Sequence, residues 1–366
     1  MKFSINQKEL QNAISVVYKG VSTRSTLPIL SGIYIEAQKD SLMLQATDLV
    51  LSIKYSTDAL IESEGKIVVP GRLFSEIVKN LPDAAVSLEL VEQDLIIMCD
   101  ASSFSIKTLD PQDFPAFPAV ETDQEVSLPF NIFSDMVRKV ARVVSKDESR
   151  AVLTGVLINI KEKNLQMVAT DSYRLAIAEK ELEENHTQEF EAVISGKFLQ
   201  DIISLPQTDN QITLALSENQ IIVSYKDTIF INRRLEGNFP NYKQLLPDAY
   251  TTRVELETAR LNEAVKRVST LDIKTAPIKI DVNIDSQTVQ LSSVAQDIGS
   301  AQETLSGEVT GENVVIAFNH GYIIEGLASI ESNNVFLEIK DTNKPGIFRA
   351  GGEENFFYLI MPVRIQ

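Results

Sequence analysis

The sequence repeats itself with a period of about one third of its length. Residues 168–176 read VATDSYRLA and residues 44–53 read LQATDLVLSI, which places Asp48 123 residues before Asp171. A weaker match at 291–301, LSSVAQDIGSA, has its aspartate a further 126 residues on. A period this long is that of a whole domain, because solenoid repeats are only about 20 to 50 residues long. The chain is therefore expected to contain three similar domains.

Other sequence landmarks keep the same step. The run VVPGRLF at 68–74 is followed after 125 residues by VISGKFL at 193–199, and more faintly by AFNHGYI at 317–323. DFP at 113–115 and NFP at 238–240 are also 125 residues apart, and each begins a proline-punctuated stretch of the kind that ends a unit. The predicted domains are residues 1–122, 123–248 and 249–366.

Each third is predicted to contain two helices and a larger number of strands. Apolar residues spaced i, i+3, i+4 and i+7 indicate one-sided helices, and runs of period two indicate strands. Each third therefore reads as strand, helix and three strands, twice over. The predicted fold class is α+β, with three topologically similar domains in which two helices pack on antiparallel sheets. The helices are expected at 7–19, 71–80, 131–146, 196–204, 258–274 and 319–329.

Charge is distributed unevenly between helices and strands. The net charge of -17 would normally argue against nucleic-acid binding. Six windows around the predicted helices nevertheless carry +6 over 78 residues, which leaves -23 on the other 288. If the basic helix faces line one surface, that surface attracts a phosphate backbone without reading its sequence, while the acidic remainder repels DNA elsewhere. The basic faces include Arg138, Arg142, Arg267 and Lys274.

Several classes of site are excluded by residue counts and missing motifs. Cys99 is the only cysteine and there are two histidines, so neither an intrachain disulfide nor a Cys/His zinc site is expected. Ser195-Gly196-Lys197 lacks the first glycine of a P-loop, and Gly-x-Ser-x-Gly is absent. Asp48 and Asp171 are interpreted as serving matching turns rather than as a catalytic pair. We therefore expect no catalytic site and no cofactor.

No apolar run approaches the roughly 18 residues of a membrane span, and the first residues alternate as a strand rather than as a signal peptide. A cytoplasmic protein is expected.

Motifs throughout the chain together resemble one family. They are MKF at 1–3, Arg24 with TLPIL at 26–30, TDL at 47–49, DFP at 113–115, VATDSYRLA at 168–176, FPNY at 239–242, FN at 318–319 and MPVR at 361–364. Over essentially all 366 residues the chain resembles the bacterial sliding clamps, the β subunits of DNA polymerase III. The resemblance implies a head-to-tail homodimer that forms a ring of six domains around duplex DNA, with the helices inside.

The same resemblance implies a function and its partners. A sliding clamp is a processivity factor and not an enzyme. It tethers the catalytic subunit of DNA polymerase III and other replication or repair proteins to DNA, and an ATP-driven clamp loader opens the ring. The hold on DNA is topological, so no base contacts are needed.

The resemblance also implies three sets of site residues. DNA contacts are implied at Arg24, Arg72, Lys146 and Lys197, to which helix geometry adds Arg138, Arg142, Arg267 and Lys274. The implied dimer interface contains Phe104, Ile106, Lys107 and Leu271. A pocket between the second and third domains would take a short extended peptide with apolar anchors. Its implied residues are Leu153, Thr170, Tyr173, Arg174, Leu175, Pro240, Leu245, Asn319, Tyr322, Met361, Pro362, Val363 and Arg364.

Without the resemblance, two of these predictions would differ. Residues 361–363 would be interpreted as a terminal edge strand and Arg174 as a surface charge. The chain also departs from relatives at Ala151 and Val152, where some carry an aromatic pair, and at Gln244, where arginine is frequent. The alternative function is a three-repeat protein-interaction scaffold that does not bind DNA. A hydrolase would need a nucleophile that the sequence does not offer.

Overall fold

The computed structural model describes residues 1–22, 25–119, 121–206, 210–271, 277–295, 298–352 and 355–364, with the backbone alone for Thr187. Two of the predicted DNA-contact residues, Arg24 and Lys274, lie outside the described residues. So does Asp297, the aspartate of the weakest repeat.

All six predicted helices are present in the described part of the chain. They are α1 Gln7–Val17, α2 Gly71–Asn80, α3 Phe130–Val140, α4 Gly196–Ile203, α5 Thr258–Val268 and α6 His320–Leu327. The first helix of each third is shorter than predicted because its last turn tightens into a 3₁₀ turn, at Tyr18–Gly20, Ala141–Val143 and Ser269–Leu271. Lys146 accordingly lies beyond the helix that was expected to contain it.

The described residues form 24 strands. Those of the first third are β1 Lys2–Asn6, β2 Gly32–Gln38, β3 Ser41–Thr47, β4 Leu51–Asp58, β5 Leu60–Ser63, β6 Gly65–Pro70, β7 Ala85–Val91, β8 Asp94–Cys99 and β9 Ser102–Lys107. Those of the second are β10 Gln124–Pro129, β11 Gly155–Thr170, β12 Arg174–Ser195, β13 Gln211–Leu216, β14 Gln220–Tyr225 and β15 Thr228–Arg233. Those of the last are β16 Thr252–Glu257, β17 Pro277–Asn283, β18 Thr288–Ala295, β19 Gly299–Ser306, β20 Glu308–Thr310, β21 Val314–Asn319, β22 Asn334–Ile339, β23 Gly346–Ala350 and β24 Phe356–Ile360.

The strands form four antiparallel sheets, and two of these sheets combine strands from neighbouring thirds. The orders are β5-β1-β7-β8-β9, β10-β13-β14-β15-β4-β3-β2-β6, β11-β12-β24-β23-β22-β16-β20 and β19-β18-β17-β21. In the eight-stranded sheet, β15 pairs with β4 from Thr228 opposite Tyr55 to Asn232 opposite Leu51. In the seven-stranded sheet, β12 pairs with β24.

These shared sheets produce two compact units. One contains Met1–Asn131 and Ser204–Arg234, and the other contains Ile132–Ile203 and Leu235–Gln366. The units differ from the sequence repeats because strand pairing joins residues that are distant in the chain. The boundaries predicted from the repeat therefore stay a prediction.

The second third replaces several predicted short strands with one long hairpin. β11 and β12 pair over most of their length, with register shifts on either side of Glu162. The acidic segment 181–186, whose sequence alone suggests a solvated loop, lies within β12. Its two ends are paired across the hairpin, Glu181 opposite Asn164 and His186 opposite Glu162. The segment is therefore an extended strand and not a loop, although its residues 183–185 are exposed to solvent.

Helix packing follows the apolar spacing seen in the sequence. In α1 the buried residues include Leu10, Ala13, Ile14 and Val17, and in α5 they include Leu261, Ala264, Val265 and Val268. Burial of each large aliphatic side chain contributes about 2 kcal/mol. The polar faces of these helices are thereby directed away from the sheets. None of the helices in the described residues combines the length and apolar character needed to span a membrane.

Candidate functional site

A tight turn at residues 170–174 positions the site. The Asp171 Oδ1 atom accepts hydrogen bonds from the backbone N–H groups of Tyr173, at 2.9 Å, and Arg174, at 3.0 Å. The Thr170 hydroxyl donates to the Arg174 carbonyl at 2.7 Å, and Ser172 has a φ of 80°. Such aspartate-closed turns fix the backbone locally. The turn therefore sets the directions in which Tyr173 and Arg174 leave the start of β12.

The same turn recurs in the first third, as the repeat predicts. Asp48 Oδ1 accepts from the N–H groups of Val50, at 2.9 Å, and Leu51, at 2.7 Å, while Leu49 has a φ of 73°. The two aspartates therefore serve matching turns. In each turn the Oδ1 atom of the aspartate is bound by two backbone N–H groups of the turn itself.

Arg174 is a buried residue at the centre of a polar network and not the surface charge that its local pattern suggests. It is only 7% exposed. Its Nε donates to Asp171 Oδ2 at 3.0 Å, and its Nη1 donates to Glu325 Oε2 and, at 3.2 Å, to the Tyr358 hydroxyl. Its Nη2 donates to the carbonyl of Arg142 at 3.3 Å. The guanidinium thus joins four separate segments of the chain.

The network favours the charged form of Arg174, whereas burial favours the neutral form of Tyr358. Burial by itself lowers the pKa of Arg174, but Tyr358 and Glu325 outweigh it, so the pKa lies above its ordinary value. Burial is also the main reason that the pKa of Tyr358 is raised. Breaking such a network by removing one member is costly, because the remaining partners stay buried without compensation.

Helix α6 supplies an aromatic wall beside the guanidinium. Asn319 caps the helix, with its Oδ1 accepting from the N–H groups of Gly321, at 2.8 Å, and Tyr322, at 3.3 Å. A cap of this kind contributes about 1 kcal/mol. It orients the first turn so that the Tyr322 ring lies over Arg174, 4.4 Å from the guanidinium carbon to the ring centre.

An apolar cluster joins β12 to the segment that contains Pro240 and Leu245. Buried Leu175 and Tyr242 belong to this cluster, with Phe239 and Leu246 packed against it. The Tyr242 hydroxyl donates to Gln166 Oε1 at 2.6 Å, which holds the segment in place. Pro240 and Leu245 are left exposed at the edge of the cluster.

The last described residues cross this region as an irregular segment. β24 ends at Ile360, so residues 361–363 are not the terminal edge strand that their pattern alone would indicate. The Met361 N–H donates to the Tyr173 carbonyl at 2.9 Å, and the Val363 N–H donates to the Ala317 carbonyl at 2.8 Å. The segment lines a recess of about 510 Å³ formed by Thr342, Asn343, Met361, Pro362, Val363 and Arg364.

The structure brings most of the predicted pocket residues to one surface of a single compact unit. Tyr173, Leu245, Met361 and Val363 are exposed, whereas Thr170, Arg174 and Leu175 are buried beneath them. Leu153 is buried in the 3₁₀ segment Glu148–Thr154, and that segment reaches the turn through Arg150 Nη1, which donates to Ser172 Oγ at 3.0 Å.

Sequence reasoning missed three members of the site, namely Asp171, Glu325 and Tyr358. Asp171 stands in the repeated motif, and Glu325 lies one turn after Tyr322 on the same face of α6, which was a usable signal. The sequence gives no such signal for Tyr358, because its hydroxyl reaches Arg174 only through the pairing of β24 with β12.

The predicted DNA-contact residues that the structure describes differ in their pairing with carboxylates. Arg72, Arg138, Arg142, Lys146 and Lys197 are exposed. Arg72 pairs with Glu76 one turn away, at 3.2 Å. Arg267 is held by Glu303, at 2.7 Å, and Glu263, at 3.5 Å, so two carboxylates offset its charge. The hydrogen bond from Arg267 is the main reason that the pKa of Glu303 lies below its usual range.

The predicted dimer residues do not all face outward. β9 is an edge strand, and exposed Phe104 and Lys107 lie on it, the latter paired with Asp94 at 2.8 Å. Ile106 is only 5% exposed, because its side chain points into the core of its own sheet. Leu271 is half-buried at the end of the turn that follows α5. An unpaired edge of this kind is available to a second chain.

In the described residues, no group of three or more histidine, cysteine, aspartate or glutamate side chains is arranged to hold a metal ion. Cys99 is buried in β8, and burial raises the pKa of its thiol.

Comparison with known proteins gives the family. Models of the DNA polymerase III beta subunit match residues 1–118 with the N-terminal domain, 127–241 with the central domain and 243–364 with the C-terminal domain. The chain belongs to the DNA polymerase III beta-subunit family. It therefore has the three clamp domains predicted, each with helices on antiparallel sheets. Sliding clamps are processivity factors without catalytic activity of their own, and this chain is one by family.

Individual relatives agree over the full length. The chain is 33% identical to the beta sliding clamp of Synechocystis sp., with 100% of both chains covered, and 31% identical to that of Staphylococcus epidermidis, with 100% and 99% covered. Among solved structures, the sliding clamp of Bacillus subtilis matches with a TM-score of 0.94 at 29% identity, and the beta subunit of Thermotoga maritima with 0.92 at 27%. Both matches cover 100% of each chain.

Proposed function

We propose that two copies of this chain close head to tail into a ring that encircles duplex DNA without sequence specificity. The ring tethers the DNA polymerase III catalytic subunit and other replication or repair proteins through short peptides bound at the surface around Arg174. A clamp loader opens it. A cytoplasmic location follows from a role in replication, and the domains are those of the repeat, at 1–122, 123–248 and 249–366.

The observation that carries the peptide site is the exposure of apolar side chains over a rigid polar base. Tyr173 is 60% exposed and Leu245 42% exposed, and Met361 and Val363 add further apolar surface. Exposed apolar groups that cluster on one surface typically mark interaction sites. Because the Arg174 network fixes the base beneath them, an extended peptide can insert apolar anchors without first ordering the site.

Enclosure explains how a chain of net charge -17 holds DNA. Arg72, Lys146, Lys197, Arg138 and Arg142 offer exposed positive charge for phosphates, and Arg24 and Lys274 complete the proposed set. Arg267 is the weakest member because of its two carboxylate partners. For ring closure, the proposed contacts are Phe104 and Lys107 on the edge strand β9 and Leu271 in the 3₁₀ turn after α5.

The decisive experiment uses nicked circular duplex DNA that carries one restriction site. We expect the protein, once loaded, to co-migrate with the circle in gel filtration and to be lost after the circle is cut, because a ring slides off a free end. A protein that simply binds the DNA surface would stay on both forms, which would contradict enclosure. A scaffold that does not bind DNA would co-migrate with neither the circular nor the linear DNA.

A further inference from the structure

Two side chains hold the end of helix α3, on which exposed Arg138 lies and after which exposed Arg142 follows. The α3 helix continues into the 3₁₀ turn Ala141–Val143, and the last carbonyls of a helix lack partners within it. Gln200 Nε2 donates to the Ala141 carbonyl at 3.3 Å, and Arg174 Nη2 donates to the Arg142 carbonyl at 3.3 Å. A cation at this end of a helix is also favoured by the helix dipole.

The carbonyls held in this way belong to the proposed DNA-contact segment. Arg138 and Arg142 are both exposed, and the Arg142 Nε donates to the Arg138 carbonyl at 3.3 Å. The direction of the Arg142 side chain therefore depends on the backbone that Arg174 fixes. Removing that bond would free the turn and spread the arginine side chain over more conformations.

The same guanidinium belongs to the proposed peptide site. It lies under the Tyr322 ring and binds Glu325, which is the most exposed carboxylate of the network. Asp171 holds it from the side of the turn. The guanidinium of Arg174 thus donates hydrogen bonds both to Glu325, in the proposed peptide site, and to the Arg142 carbonyl, in the proposed DNA-contact segment. A shift of the guanidinium toward one of these partners alters its hydrogen bond to the other.

We propose that Arg174 is a positioning residue that couples the peptide site to the DNA-contact segment through the Arg142 carbonyl. A peptide that engages Tyr322 and the guanidinium changes the affinity of the Arg138–Arg142 segment for DNA. By linkage, DNA changes the affinity of the peptide by the same factor. This inference rests on the proposed function, because it assumes that Arg138 and Arg142 meet DNA.

The test compares three variants of the full-length protein. Arg174→Gln removes the charge and weakens the bond to the Arg142 carbonyl. Gln200→Leu loosens the same turn from the opposite side. Lys161→Gln is the matched control, because it also removes one positive charge from the same compact unit, an exposed lysine paired with Glu189, and touches neither site. Affinity for a short linear duplex at low salt and amide hydrogen exchange across residues 138–146 are measured for each.

Arg174→Gln and Gln200→Leu are expected to speed exchange across 138–146 and to weaken the affinity for the short duplex by about five-fold, the lower end of typical coupling between sites. Lys161→Gln should match the wild type in both measurements. If both test variants behave like Lys161→Gln, the coupling is overturned. Should Arg174→Gln fail to fold, as judged by circular dichroism, Gln200→Leu alone decides the matter. A wild type that leaves circular DNA as fast as linear DNA would instead refute the proposed function.

A second arm tests the link from the peptide side. A synthetic peptide from the DNA polymerase III catalytic subunit of the same organism is added at saturation to the wild type. Exchange across 138–146 is expected to change when the peptide binds, and the change should be absent in Gln200→Leu, where the turn is already loose. Peptide binding with unaltered exchange in the wild type would overturn the coupling.

Discussion

The guanidinium carbon of Arg174 lies 4.4 Å from the centre of the Tyr322 ring, so a buried cation packs against the face of a half-buried aromatic ring. Stacking of this kind contributes about 0.5 to 2 kcal/mol, depending on how far the pair is desolvated. The arrangement makes the peptide site and the stability of the compact unit depend on one residue.

Arg174→Ala is expected to weaken the binding of partner peptides and to lower the free energy of unfolding by about 3 kcal/mol, because half-buried Asp171 loses its cation and the buried Tyr358 hydroxyl loses a partner. Fluorescence anisotropy with a labelled peptide measures the affinity, and urea denaturation measures the stability. Unchanged peptide affinity would reject the pocket.

Deletion of residues 361–366 is the matched control for that variant. It removes the backbone bonds of Met361 and Val363 but leaves the Arg174 network intact. Peptide affinity should fall while the free energy of unfolding changes much less, and the dimer should persist in both variants.

Charge reversal of Arg72 and Lys197 together is expected to weaken the affinity of the protein for a short linear duplex and to flatten the dependence of that affinity on salt. Each lost phosphate contact reduces the slope of log affinity against log salt by about 0.9. Both side chains are exposed, so the melting temperature should stay close to that of the wild type. Lys161→Glu changes an exposed lysine on the long hairpin that pairs with Glu189 and is the control. Wild-type affinity of the double variant at low salt would count against these contacts.

Glu303→Gln should remove the closer of the two carboxylates that hold Arg267 and strengthen the affinity of the protein for a short linear duplex. It should also remove a pH-dependent contribution to stability. The hydrogen bond from Arg267 holds the pKa of Glu303 below its unfolded value of about 4.3, so the stabilisation is present above that pH and is lost as pH falls through the folded pKa. The wild type should therefore have a higher melting temperature than the variant at pH 7, and this difference should shrink as the pH is lowered through the acidic range. A difference that does not change with pH would disprove this account.

Phe104→Asp is expected to halve the mass in solution from about twice 40.7 kDa, because it places a charge on the exposed edge strand β9 without touching the core. Sedimentation equilibrium measures the mass. Ile106→Asp, two residues on but buried, should instead unfold the first compact unit. A dimer that survives Phe104→Asp would place the interface elsewhere.

Much of the fold could be predicted from the sequence because it depends on local patterns. The turns at Asp48 and Asp171 are closed by each aspartate on its own next residues, so the repeated motif was sufficient. Helix faces likewise follow from apolar spacing. Helix ends were overestimated, since the tightening of the last turn depends on outside partners such as Gln200.

The site was less accessible to sequence reasoning. The burial of Arg174 requires Glu325, 151 residues away, and a tyrosine 184 residues away. No local pattern reports such partners, so a charged residue after a turn was interpreted as solvated. The family resemblance placed Arg174 in the pocket but gave no indication of its bond to the Arg142 carbonyl.

The pairing of β4 with β15 has a practical consequence for anyone who wishes to dissect the chain. A fragment that ends at residue 122 would lose all five residue pairs between Leu51–Tyr55 and Thr228–Asn232. Strand β4 would then have an unpaired edge, which promotes aggregation. The sequence repeat and the compact unit therefore have different boundaries in this protein, so biochemical work requires the full-length chain.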